Sequence, residues 1–195
     1  MRNLLAILTL VLISACSTTV ERVASDSTVD LSGAWNDTDS RLVAEEMVAD
    51  VISRPWISDY NVAAGKRPVV IVGTIRNLSH EHINVNTFVA DIERELINSG
   101  RVDFVASKHE RNEIREERIE QDLNSREDTR NAAGQETGAD FMLKGQINTI
   151  LDVAGKEQVR YYQVDLTLIS MSDNRKVWLG QKKIKKIVTN AKIRY

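Results

Sequence analysis

The chain is 195 residues long, with 26 Lys and Arg against 28 Asp and Glu, a formal net charge of −2 and a single cysteine. So even a balance argues against bulk electrostatic capture of nucleic acid or of an anionic membrane. One cysteine excludes a disulfide within the chain, so the fold must rest on packing.

The first element is a leader. Arg2, an apolar run over residues 4–13 and the small pair Ser14-Ala15 have the basic start, short core and small residues of a secretory signal. A run of ten is too short for a permanent membrane span, which needs about 20 residues. Cys16 comes next, and Ile13-Ser14-Ala15-Cys16 resembles the lipobox of bacterial lipoproteins. That resemblance implies cleavage after residue 15 and lipid attachment at Cys16, so residues 1–15 are expected to be a signal peptide. Without Arg2 the mature chain holds 25 basic and 28 acidic residues, a net of −3, and is long enough for one domain with a sizeable core.

Residues 17–38 are rich in Ser, Thr, Asp and Val without an apolar period, and with Cys16 they read as a flexible tether over 16–38. Such a tether spans roughly 26 Å when relaxed and at most about 75 Å when stretched. Trp35 is too large and apolar for a free linker and is expected to dock on the domain.

The domain itself is assigned to residues 39–195. Thr38 or Asp39 can cap a helix over 40–53, where Val43, Met47 and Val51 form a stripe widened by Leu42, Val48 and Ile52. Arg54-Pro55 ends it. Trp56 and Ile57 are expected to fold back under the domain, and residues 58–67 to be a connection. Residues 69–75, nearly all apolar and β-branched, predict a central strand buried on both faces, with Pro68 at its entrance. A polar loop over 76–85 carries His80 and His82. A helix over 86–99 follows, with Phe88, Ile92 and Leu96 on one stripe and Gly100 as its stop. It can be the crossover between the first strand and a second, parallel one over 102–106.

Ser107-Lys108-His109-Glu110 has the form of a capping box. The helix it opens runs to about Leu123 and offers only Ile114, Ile119 and Leu123 for burial. A further helical segment is expected over 127–137. Residues 141–151 alternate, with Phe141, Leu143, Ile147 and Leu151 on one side; 152–157 make a turn around Gly155. Tyr162, Val164, Leu166 and Leu168 mark the inner face of the next strand. Ser172-Asp173-Asn174 is a turn, and 177–188 the last strand. The pattern predicts a single α/β domain: a mixed sheet, made of a parallel pair plus a C-terminal antiparallel meander, flanked by helices.

Catalytic signatures are missing from this pattern. His80-Glu81-His82 could ligate zinc only if a third ligand converged, and it lacks the i, i+4 spacing of a helical His-Glu-x-x-His site. No phosphate-binding glycine loop and no Gly-x-Ser-x-Gly elbow occurs. Glu116, Glu117 and Glu120 sit among arginines at ion-pair spacing. No cofactor, no metal and no nucleic acid are therefore expected. Lys182-Lys183-Ile184-Lys185-Lys186 reads first as the guard of an exposed sheet edge and second as a contact for an acidic partner.

From about Val69 onward the chain resembles the LpoB-type activators of penicillin-binding proteins. The likeness is carried in order by Val70-Ile71-Val72-Gly73-Thr74-Ile75-Arg76-Asn77, by Asn98-Ser99-Gly100-Arg101 between a helix and a strand, and by Gly138-Ala139-Asp140-Phe141-Met142-Leu143. Leu166-Thr167-Leu168 and Asp173-Asn174-Arg175-Lys176-Val177-Trp178-Leu179-Gly180 complete it, with Trp35-Asn36-Asp37-Thr38-Asp39-Ser40-Arg41 ahead of the domain. The resemblance implies a non-enzymatic outer-membrane lipoprotein that stimulates a bifunctional penicillin-binding protein during peptidoglycan synthesis. Ser17 after the cysteine is compatible with outer-membrane sorting. Arg76, Asn77, Lys182 and Lys183 are the candidate partner-binding residues. The tether departs from the pattern: well-known members have a long, proline-rich one, and here it is short and lacks proline. The alternative is a structural lipoprotein of an envelope or secretion assembly, similar to the periplasmic domain of curli-type pores.

Overall fold

The computed structural model describes residues 20–189. The expected signal peptide and Cys16 lie outside these residues.

Helix α1, Asp37–Ser53, begins earlier than the periodicity predicts. Its cap is Asn36, whose side-chain oxygen accepts from the Asp39 N–H at 3.0 Å while the Asp39 carboxylate accepts from the Asn36 N–H at 3.0 Å. Asp39 is thus the far member of a reciprocal capping box and not the cap itself. Residues 58–67, expected to be a connection, instead contribute most of a second helix, α2, Trp56–Ala64. Pro55 at its start supplies a helix-compatible φ of −63°, and Gly65 closes it at φ +67°, where only glycine is unstrained. Trp56 and Ile57 are buried, and Trp56 Nε1 donates to the Val51 carbonyl at 2.7 Å.

Strand β1, Val69–Leu78, runs into the predicted loop. Helix α3, Val85–Asn98, buries Phe88, Ile92 and Leu96 as expected and crosses over to β2, Asp103–Phe104. The pairing of β1 with β2 is parallel. Helix α4, Lys108–Asn124, carries the predicted Ser107–Glu110 capping box. None of its residues is buried, so Ile114, Ile119 and Leu123 do not reach a core. Residues 127–137 are irregular chain with turns at 127–129 and 133–134 instead of the expected helix. They lack an apolar stripe, and Glu136 is drawn back to Arg115 in a bidentate pair at 2.8 Å.

Three strands of 14 residues follow: β3, Phe141–Ala154; β4, Glu157–Ser170; β5, Lys176–Thr189. The first hairpin is tighter than predicted, closing on Gly155-Lys156 between the paired Ala154 and Glu157. Its glycine adopts φ +59°, as such two-residue turns require. The sheet order is β2-β1-β3-β4-β5, with β3 parallel to β1 and antiparallel to β4. The predicted parallel pair and meander are therefore one mixed sheet joined through β3. Leu151 is the exception to the predicted alternation and is exposed.

The core lies between one sheet face and helices α1, α2 and α3. Val43, Met47 and Val51 from α1 and the α3 stripe meet Val70, Val72, Leu143, Ile147 and the predicted row Tyr162, Val164, Leu166, Leu168. Trp56 and Tyr60 close one end, packing edge-on against Phe141 at 5.1 and 5.2 Å. The opposite sheet face, from Thr74 and Arg76 across Lys144, Gln146 and Thr167 to Gln181 and Lys183, is left open or half-open.

Candidate functional site

Two arrangements follow from this architecture: an uncovered sheet face and a strap of chain ahead of α1. On the open face, Arg76 of β1, Lys144 of β3 and Lys176 of β5 line a groove of about 560 Å³ with Thr74, Gln146, Asp165 and Thr167. Arg76 donates to Gln146 at 3.2 Å. Asp165 accepts from Gln163 at 3.0 Å and Gln181 at 2.8 Å, so its carboxylate is held by neutral amides. The groove carries three cationic groups to one carboxylate, and Lys183 stands exposed farther along the same face.

The sequence candidates divide by strand parity. Arg76 and Lys183 lie on the open face. Asn77 turns the other way and shapes the loop after β1: its amide donates to the Glu81 carbonyl at 2.8 Å, and its oxygen accepts from the Ser79 N–H at 2.9 Å. Lys182 also faces the helices and ion-pairs with Glu46 of α1. The lysine cluster is therefore split, two of its members being spent on internal pairs.

The strap is the second arrangement. Trp35 docks on the domain, edge-on to Tyr162 at 5.5 Å and Phe88 at 6.5 Å, with Nε1 donating to Ser40 Oγ at 2.8 Å. Glu81 receives three donors: Trp35 N at 2.9 Å, Arg160 Nη1 at 2.8 Å and Tyr162 Oη at 2.7 Å. The same hydroxyl lies 3.3 Å from the Gly33 carbonyl. Burial, and then the Glu81 carboxylate, push the Tyr162 phenol far above the usual tyrosine range, so it is a fixed donor. Lys186 Nζ sits 2.7 Å from both Asp30 and Asp39 and 3.3 Å from the Ala34 carbonyl. Burial opposes its charge, but hydrogen bonds to Asp30 and Asp39 outweigh that and raise its pKa above the ordinary lysine value.

Sequence reasoning found Trp35 because a tryptophan is out of place in a polar leader. It missed Glu81, Arg160, Tyr162 and Lys186 as its clamp, because they come from segments 46 to 156 positions away from their strap partners and share no motif.

His80 Nδ1 lies 2.9 Å from Thr149 Oγ1 and, with His82, lines a cavity of about 430 Å³ beside the strap. Among the described residues no three His, Cys, Asp or Glu side chains gather as a metal-ligand group. Among the same residues no helix is long and apolar enough to cross a membrane.

The family described as peptidoglycan-synthase activator LpoB matches residues 39–184. Among solved structures, the chain is similar to the LpoB C-terminal domain from Escherichia coli at 14% identity and TM-score 0.44, over 76% of this chain and 99% of that one. The NMR structure of E. coli LpoB is matched at 12% identity and TM-score 0.42, over 91% and 84% of the two chains. Lipoprotein GNA1162 from Neisseria meningitidis is matched at 15% identity and TM-score 0.40, over 62% and 83%. No curated protein sequence matches the chain.

Proposed function

The chain belongs to the LpoB family of peptidoglycan-synthase activators, non-enzymatic proteins whose target is a penicillin-binding protein, and from that premise we propose how this member is held and where it receives its partner. Cys16 carries the lipid that holds the mature chain at the outer membrane, with the domain facing the periplasm. The partner is a bifunctional penicillin-binding protein, and it docks on the open sheet face at Arg76 and Lys183. Asn77 and Lys182 act at one remove, by fixing the loop after β1 and the seat of β5 on α1.

The observation that carries this reading is the groove of Arg76, Lys144 and Lys176 on a sheet face that no helix among the described residues covers. A face with excess positive charge complements an acidic patch on a partner, and such complementarity governs encounter rate and register. The test is the polymerisation and cross-linking rate of a purified cognate synthase with added residues 17–195. Arg76→Glu with Lys183→Glu is expected to weaken binding by about tenfold or more, since like charges placed against each other cost several kcal/mol. Far-UV circular dichroism and thermal midpoint should stay unchanged. An unaltered stimulation by the double variant would move the partner site elsewhere.

A further inference from the structure

Beyond Leu78, which pairs with Asn148, strand β3 has no β1 beside it. Residues 149–154, 157–162 and 184–189 therefore project as a three-stranded finger past the rest of the sheet. Several large aliphatic side chains stand exposed on the finger. Ile150, Val153 and Ile187 are 65%, 58% and 72% exposed, and Leu151 is 47% exposed. By strand parity Ile150 and Ile187 lie on the open face, bridged by Tyr161, the partner of Ile150, and Val159, the partner of Ile187, whereas Leu151 and Val153 lie on the strap face of the same tip. Clusters of exposed large aliphatic side chains mark surfaces that are covered in use. Their charged rim is balanced, Lys156 and Lys185 against Asp152 and Glu157.

The leader leaves the body at this same finger. Gly33 packs on Val188 so closely that a Cβ there would lie 2.2 Å from a Val188 methyl, and Lys186 holds Asp30. Only residues 17–29 remain between the clamp and Cys16. They span about 20 Å relaxed and at most about 45 Å stretched. The other end of the sheet, at Phe141, lies about 30 Å from Ile150 along β3, at some 3.4 Å per residue. The short leader thus keeps the finger, and not that end, beside the anchor.

We infer that the finger rests with its open face on the phospholipid surface of the anchoring leaflet, Ile150 and Ile187 entering the headgroup layer. The inference deepens the proposed function and rests on acylation of Cys16. A balanced charged rim suits a zwitterionic surface, so the contact depends on the aliphatic groups and not on salt. It also orients the body: α2 and the start of β3 point away from the membrane.

The experiment uses the acylated protein in vesicles of phosphatidylethanolamine and phosphatidylglycerol. Acylation occupies the one native cysteine, so Ile187→Cys, and separately Val62→Cys on α2, gives a single site for an environment-sensitive fluorophore. The expected result is strong quenching by headgroup spin-labelled lipid at position 187 and little at position 62, unchanged by added salt. Equal quenching at both positions, or none at 187 in protein whose acyl group is verified by mass spectrometry, overturns the inference. So does a fluorophore at 187 shielded by a second copy, seen as a crosslinked dimer without lipid quenching. Absence of the acyl group would remove the anchor reading itself, and mass spectrometry separates that failure from the others.

Discussion

At the scale of single residues, the strap depends on a few buried charges. Lys186 is 13% exposed and Asp39 only 6%. Removing the lysine strands a nearly buried carboxylate, so Lys186→Met is expected to lower stability by about 3 kcal/mol in denaturant titration. Amide exchange over residues 30–36 should rise with it. The pH dependence follows from two shifts of opposite kind. The hydrogen bond from Lys186 holds the Asp30 carboxyl below its ordinary value of 3.8. That contribution is present above pH 3.8 and is lost as pH falls through the lowered native value. The Lys186 pKa is raised above 10.5, so its contribution is present below pH 10.5 and is lost as pH climbs through the raised value. Protection of the strap should therefore form a plateau across neutral pH and fall at both extremes. Trp35→Ala removes a half-buried ring, and its cost should stay below the roughly 3–5 kcal/mol of a fully buried tryptophan.

Among the elements, β5 shows how a strand is locked to a helix. Gly180 lies against the Trp178 ring and the Met47 sulfur; a Cβ there would come within 2.2 Å of the ring and 2.8 Å of the sulfur. The Trp178 indole donates to Asp50 of α1 at 2.7 Å, so the ring cannot swing aside freely. Gly180→Ala is expected to destabilise by about 1–3 kcal/mol through overpacking, read as a lower thermal midpoint. Helix α4 behaves oppositely. Leu123 is 75% exposed there, so Leu123→Lys should change stability by no more than about 0.5 kcal/mol. The contrast explains what could be read from sequence. The stripes Val43-Met47-Val51 and Phe88-Ile92-Leu96 have helical period and something to cover, and both are buried where expected. Ile114, Ile119 and Leu123 are too few among charges to compete for a place on the sheet. In α2 the cues pointed the wrong way: Pro55 read as a stop also starts the next helix, and Gly65 read as loop is its cap.

For the whole molecule, activity without a catalytic centre becomes a matter of position. Clamping residues 30–36 on the body shortens the free leader and ties it to one end of the sheet. Inserting flexible residues within 17–29 should alter activation in cells while leaving synthase affinity in solution unchanged, which a binding assay on soluble protein checks directly. The sequence alone determined the helix stripes, the alternating strands, the capping box at Ser107 and the lipobox-like leader, because each is written within a few neighbouring residues. It also carried the ordered motifs of the family. Which lysines stay available was decided only in the folded chain, since strand parity sends Lys183 to the open face and Lys182 to Glu46. The strap, the groove and the finger likewise depend on contacts between distant segments. Such contacts have no local period to announce them, and only the register of β3, β4 and β5 brings them together.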